Sequence, residues 1–348
     1  MTRSFRNAIL GAITIAGICV FGPSSPSFPT LQGPRRANSS LDHLAAAAPR
    51  QRTLIFAGDV MLSRGVGRKM YAKGDWGYPF RQVSGVLHAA DLAYCNLECP
   101  ISDQGRNLHH LYSFRADPRA VDGLKSAGFT IVSEANNHAY DWGPPALLDT
   151  LGRLHAVGIR TVGAGENTLE AHHSTVVDLG GVRVAFLAYV NIDPQDAAAG
   201  VNHPGVAWLD VEQVTADIRF ARYLADLVVV CPHWGVEYAT APTRRQEELA
   251  RKMIDAGADL IVGSHPHVVQ PLEQYHGRWV AYSLGNLIFD QQDPATHRGL
   301  MLKVTVRDKK IAEVTKVPIE INADCQALLA TPKTRTSQLL FAIRLPHP

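Results

Sequence analysis

Cysteine is scarce in this sequence, with five in 348 residues: Cys19, Cys95, Cys99, Cys231 and Cys325. They do not make a disulfide framework. Cys95 and Cys231 lie in apolar, strand-like runs where the thiol packs as a small hydrophobe. A pairing of Cys99 with Cys325 stays open in an exported chain. Charge of one sign is lacking too. A formal net charge of +2 with no long Lys/Arg run gives no basic field, so no nucleic-acid partner is expected. Nor is there an apolar run long enough to cross a bilayer unaided: the stretch from Ala8 to Phe21 falls short of the roughly 20 residues required. Disorder is excluded by 46% hydrophobic and 19% charged residues, a globular composition.

The N-terminal run follows Arg3 and Arg6 and ends in "GPSSPSFPT", the layout of an export signal. Residues 1–22 are therefore expected to be an export signal or membrane anchor, with cleavage favoured. Residues 23–52, rich in Pro, Ser and Ala, read as a linker. A folded domain is expected over 53–324 and a tail over 325–348, with the protein exported to the cell envelope.

From Thr53 onward, short apolar runs alternate with helical patterns. Strands are predicted at 53–58, 92–97, 129–135, 183–190, 227–233, 260–265, 279–284 and 300–306. Helices with one apolar face are predicted at 79–90, 118–127, 144–157, 211–225 and 242–256. Near-continuous apolar strands separated by helices imply sheets covered on both faces, hence a layered α/β domain. In such folds, sites gather where strands end.

The ends of these runs carry ligands. "AGDVM" delivers Asp59, "CNLEC" Asn96 and Glu98, and "EANNHAYDWG" Asn136, Asn137, His138 and Asp141. "CPHWGVEY" adds His233 and Glu237, "GSHPH" adds His265 and His267, and "SLGN" adds Asn286. Taken singly, each has a bland reading: Asp after Gly is a common cap, and Asn tolerates left-handed turns. Six successive elements ending in carboxylate, amide or imidazole are not explained by turns alone. A mixed O/N donor set without thiolates suits Mn, Zn or Fe, as one or two ions. Paired ions can activate a water and stabilise both oxygens of a displacement. His138 is the candidate proton donor, with Asp141 three residues on to orient its ring. Glu237 and Asn286 are expected to support the ligands by hydrogen bonds. Arg64 and Arg115 are candidates for an anionic substrate, although a structural arginine is the default.

The segments "FAGDVMLSRGV", "DLAYCNLECPIS", "NNHAYDWG", "PHWGVEY", "GSHPHVVQ" and "SLGNLIFD", in this order, resemble the bacterial capsule-synthesis CapA family, also met as the PgsA-like component of poly-γ-glutamate synthesis. That family resembles a branch of the calcineurin-type metallophosphoesterases. The resemblance implies a two-sheet α/β sandwich flanked by helices and a dinuclear metal centre. It matches Asp59, Asn137, His233, His265 and His267 to metal ligands, His138 to the histidine beside the Asn ligand, and Glu98 to the bridging carboxylate. One position departs: the phosphoesterase pattern begins Asp-x-His, and here the third residue is Met61, a poor ligand for such ions.

The expected function is making, exporting or trimming an anionic exopolymer such as poly-γ-glutamate through a metal-dependent hydrolase site, alongside membrane synthase or export subunits. Two alternatives stand beside it. One is a non-catalytic accessory protein that binds polymer or synthase through a depleted metal centre; the other is an exported metallophosphodiesterase.

Overall fold

The computed structural model describes residues 51–330. The expected export signal, nearly all of the linker and most of the tail lie outside the described residues. No helix among the described residues is long and apolar enough to cross a membrane.

Two sheets pack face to face. In the first, the strands run in the order Ala327–Leu329, Lys310–Ile321, Arg298–Arg307, Arg52–Val60, Leu92–Leu97, Ile131–Ser133 and Arg160–Val162. A short strand, Asn286–Ile288, pairs in parallel with the end of Arg52–Val60. The second sheet has the order Leu272–Tyr275, Arg278–Ala281, Leu260–Val262, Leu227–His233, Arg183–Val190 and Thr175–Asp178. Its four central strands are parallel, as are the neighbouring strands from Arg52–Val60 to Arg160–Val162 in the first sheet.

Alternation explains the sandwich. Along the first sheet, Leu54, Phe56, Leu92, Tyr94 and Ile131 face inward and meet Val184, Phe186, Val229 and Leu260 of the second sheet. The intervening Ile55, Ala57, Ala93, Cys95 and Val132 face outward and are covered by Val66, Met70, Leu124 and Leu154. The outer face of the second sheet is covered in turn by Val214, Ile218, Leu249 and Met253, from helices Val211–Leu224 and Arg244–Ala256. A strand with both faces buried reads as an unbroken apolar run. The architecture is thus a two-sheet α/β sandwich with helices on both outer faces.

Differences from the expected elements have local causes. Residues 79–90 split into a 3-10 turn, Tyr78–Phe80, and a short helix, Ser84–His88. Helix Arg64–Lys73, lacking an acidic first turn, was not anticipated; the Asp290 carboxylate from a distant loop accepts the Gly65 N–H at its start. The long strand Lys310–Ile321 is half exposed and charged, which hid it. The sheet also extends past residue 324, because Ala327–Leu329 pairs with Lys310–Ile321. Cys99 and Cys325, both buried in the core beneath the first sheet, are free thiols.

Candidate metal centre and its cleft

Parallel strands of both sheets end at one place, and their last residues build the site. Asp59 is in register with Asn96 on one side and Asn286 on the other. The close approach of a third chain segment fixes its position: the Gly285 carbonyl accepts the Asp59 N–H at 3.0 Å. A Cβ on Gly58 would stand 1.9 Å from that carbonyl oxygen, so only glycine fits before the aspartate.

Asp59 is fully buried. Its Oδ1 accepts the Asn96 side-chain amide at 2.8 Å, and Oδ2 accepts the His265 N–H at 3.3 Å. The same Asn96 amide lies 3.2 Å from Glu98 Oε2. Asn136 donates to Asn96 Oδ1 at 3.2 Å and to the Leu97 carbonyl at 2.8 Å, while its own Oδ1 accepts the His138 N–H at 3.0 Å. This chain of amides fixes the turn that carries Asn137 and His138.

The imidazoles converge on these carboxylates. One donor atom from each of Asp59, Glu98 and His233 lies within 4.8 Å of the others. His233 Nε2 is 2.9 Å from Asn137 Oδ1, with Nδ1 held 2.9 Å from Ser264 Oγ. His267 Nε2 faces Glu98 Oε1 at 3.6 Å, with Nδ1 3.0 Å from Asn286 Oδ1. His265 and His267 both have positive φ, +98° and +58°, on either side of Pro266. Left-handed backbone at two non-glycine residues is strained, and here it turns both rings inward. Glu98 Oε1 and His265 Nδ1 are buried with no hydrogen-bond partner.

Burial, then the neighbouring imidazoles, holds His233 well below the ordinary histidine range. Burial, followed by the neighbouring His267 imidazole, brings His265 down to about 3. Both rings are neutral at physiological pH and carry lone pairs. Burial, then the Asp59 charge, pushes Glu98 well above the usual carboxylate range. A nearby cation relieves each of these costs. The orphaned atoms, neutral imidazoles and mixed O/N donors therefore fit a divalent metal, which Asp59, Glu98, Asn137, His233, His265 and His267 would hold.

His138 stands beside this set. Its Nδ1 is 2.9 Å from Asp141 Oδ2, and its ring packs against Phe114, tilted by 30° with centroids 4.0 Å apart. Asp141 also contacts His110 Nδ1 at 3.0 Å and accepts the Phe114 N–H at 2.7 Å. His138 and His267 line a cleft of about 370 Å³ together with Arg64, Arg68, Glu237 and Tyr238.

The chain matches the family model described as bacterial capsule synthesis protein PGA_cap over residues 53–291. It is 35% identical over 274 residues to the PGA biosynthesis protein CapA of Bacillus subtilis, covering 77% of this chain and 71% of that one. It is 34% identical over 299 residues to the capsule biosynthesis protein CapA of Bacillus anthracis, covering 82% and 70%. This chain belongs to the PGA_cap family. A solved calcineurin-like phosphoesterase from Bacillus subtilis is similar at 13% identity and a TM-score of 0.44, with 79% of this chain and 92% of that one covered. Of longer solved nucleotidases, the chain spans 54% to 61% of the length.

Within this family member, several expected roles are relocated. Arg64 reaches the cleft, but its guanidinium pairs with Asp290 and lies 4.6 Å above the Phe114 ring. Arg115 does not line the cleft; the face of Trp142 captures its guanidinium at 3.4 Å. Glu237 lines the cleft but is exposed and hydrogen-bonds to no described residue, so it does not support the ligands as expected. Asn286 and Asn96 do contact His267 and Asp59. Met61 Sδ accepts the Ser63 N–H and Oγ–H, each at 3.1 Å.

Sequence reasoning passed over Ser264, His110, Phe114 and Arg68. Ser264 stands inside "GSHPH" and was legible there. His110 and Phe114 sit in 102–115, which forms no helix or strand, so no periodicity marks them. A second cavity of about 400 Å³, where His172 and Asp217 pair at 2.8 Å, holds none of the candidate ligands.

Proposed function

We propose that this chain processes an anionic exopolymer of the poly-γ-glutamate type, through a hydrolase site that uses a divalent transition metal. The convergence of His233 Nε2, Asn137 Oδ1, Asp59 and Glu98 beside the orphaned His265 Nδ1 carries the reading. Two relatives named for capsule or PGA biosynthesis support the polymer assignment. When bound, the metal supplies a Lewis acid and an activated water. The chain's own contribution is His138. With Nδ1 held by Asp141, its Nε2 is free to hold a proton for a leaving group in the cleft. Asn96 and Asn136 keep the carboxylates in place. The N-terminal basic, apolar and Pro-broken segments support action outside the cytoplasm, next to membrane synthase or export subunits.

The Met61 thioether, engaged by Ser63, favours a second reading, in which the metal position nearest Asp59 and His267 is weak and the cleft binds polymer without cutting it. Elemental analysis of the full chain and of His265→Ala, with a polymer-shortening assay, separates the two. Hydrolysis requires metal in the wild type, most of it lost in the variant, and shortening abolished by chelation and by His138→Ala. Polymer binding that survives both treatments, with no shortening, overturns the hydrolase reading in favour of the binding role. Turnover of simple phosphodiesters without action on the polymer would instead identify an exported phosphodiesterase.

A further inference from the structure

We infer that Arg68 and Glu237 are specificity-determining residues that read the amino end of the polymer, where one unit carries both an α-amino and an α-carboxylate group. The inference rests on the polymer-processing reading above and adds which part of the chain enters the cleft.

Four ionised side chains line the cleft: Arg64, Arg68, Glu237 and Asp290. Two of them neutralise each other. Arg64 Nη2 bonds to Asp290 Oδ1, Asp290 Oδ2 accepts the Gly65 N–H at 2.7 Å, and the Phe114 and Phe289 rings cover the guanidinium at 4.6 and 5.7 Å. Arg64 is therefore a fixed part of the wall, committed within the fold.

The other two are free. Arg68 stands one helical turn beyond Arg64 on helix Arg64–Lys73, where an i,i+4 spacing keeps it on the same face. It is exposed, lines the cleft, and has no ion pair or hydrogen bond with another described residue. Glu237 comes from a different element, the segment between strand Leu227–His233 and helix Arg244–Ala256, and is equally exposed and unpaired. Opposite charges thus share one small cavity without joining, so a ligand carrying both signs satisfies both.

That condition selects among parts of a polyglutamate. An interior unit carries its amides and a single negative charge, the α-carboxylate, and so offers Glu237 no cation. The amino-terminal unit offers an ammonium for Glu237 and a carboxylate that the planar guanidinium of Arg68 can hold by two parallel hydrogen bonds. His138 and His267 line the same cleft, so a unit held by Arg68 and Glu237 lies beside the candidate metal centre.

The test is calorimetric titration of the metal-loaded full chain with tri-γ-glutamate bearing a free amino end, and with its N-acetylated form. The wild type should prefer the free end by about tenfold, the ratio expected of one charge-assisted contact. Glu237→Gln should erase that preference, and Arg68→Gln should weaken both ligands by a similar factor. Arg219→Gln, exposed on helix Val211–Leu224, should change neither. Because these side chains are exposed, unchanged melting temperatures are expected and would exclude misfolding as a cause. Equal binding of the two ligands by the wild type, or a preference that persists in Glu237→Gln, overturns the inference. If metal content and polymer shortening are intact in that case, the functional reading stands. If the wild type holds no metal and binds neither ligand, both fall.

Discussion

Asn286 and His267 are joined where the two sheets meet, with His267 Nδ1 3.0 Å from Asn286 Oδ1 and both side chains buried. The amide cannot usefully flip, because its nitrogen donates to the Thr296 carbonyl at 3.1 Å and to Gln291 Oε1 at 2.9 Å. Asn286 therefore accepts the proton of Nδ1 and leaves the Nε2 lone pair aimed towards Glu98. Removing this contact without touching a ligand should weaken metal binding by about 10–100-fold, as outer partners of ligating histidines do. Asn286→Ala should show that loss in a competition titration with a chromophoric chelator, and Asn286→Asp, which keeps an acceptor, should lose less. Equal affinity in all three proteins would mean that His267 is oriented by packing alone.

The contrast between Asn286 and Phe114 shows what a sequence makes legible. Strand ends carry their chemistry next to a strong apolar signal, so Asp59, Glu98, His233 and the His265–His267 pair could be named before any coordinates. Their convergence follows from parallel strands ending at one edge. The cleft walls come instead from segments without periodicity and from a helix whose start is held by Asp290, more than two hundred residues away in the chain. Arg64 and Arg115 illustrate the limit: one is claimed by Asp290 and the other by Trp142, and neither partner is marked by local pattern. The charged, half-exposed strand Lys310–Ile321 was hidden for a related reason: Lys, Glu and Pro interrupt its Val, Ile and Thr residues, and its pairing with Arg298–Arg307 is not marked by local pattern.

Glu134 gives a pH dependence of stability. It is fully buried, neither carboxylate oxygen has a partner, and burial pushes it well above the usual carboxylate range. Its contribution to stability is whole below the unfolded pKa of about 4.3 and is lost as pH rises towards the folded value, because the unfolded state releases the proton first. Glu134→Gln removes that titration. The variant's melting temperature relative to wild type should therefore climb between pH 4 and pH 8, measured in chelator so that metal binding does not contribute. Protonation of Asp59, Glu98 and the histidines is common to both proteins and cancels in the difference. A difference that stays constant across this range would mean that Glu134 titrates normally.

Met61 gives a test of the metal count. It is fully buried, with its sulfur engaged by Ser63, so the position flanked by Asp59, Glu98 and His267 has one ligand fewer than the family resemblance implies. The wild type should retain one ion per chain after dialysis, and Met61→His should retain two. Burying an imidazole in place of a thioether should cost the metal-free variant about 1–3 kcal/mol, partly recovered when metal is added. Elemental analysis together with denaturant unfolding reads both effects. Two ions in the wild type would show that another donor completes the position.

Asp141 makes two separable sets of contacts. Its carboxylate accepts from His138, His110 and the Phe114 N–H, and so ties residues 102–115 to the turn that carries His138. Asp141→Asn presents an amide nitrogen to donors and leaves at least one of them unsatisfied, at a cost of about 1–3 kcal/mol. His138→Ala, by contrast, leaves the contacts with His110 and Phe114 in place. If Asp141 acts on structure as well as on the imidazole, limited proteolysis should cut within 102–115 faster in Asp141→Asn than in the wild type, while His138→Ala is cut at the wild-type rate. Both variants should lose polymer shortening, since one lacks the proton donor and the other its orientation. Equal protection of the loop in all three proteins would confine Asp141 to orienting His138, and rapid cutting in both variants would make the Phe114–His138 contact the true anchor.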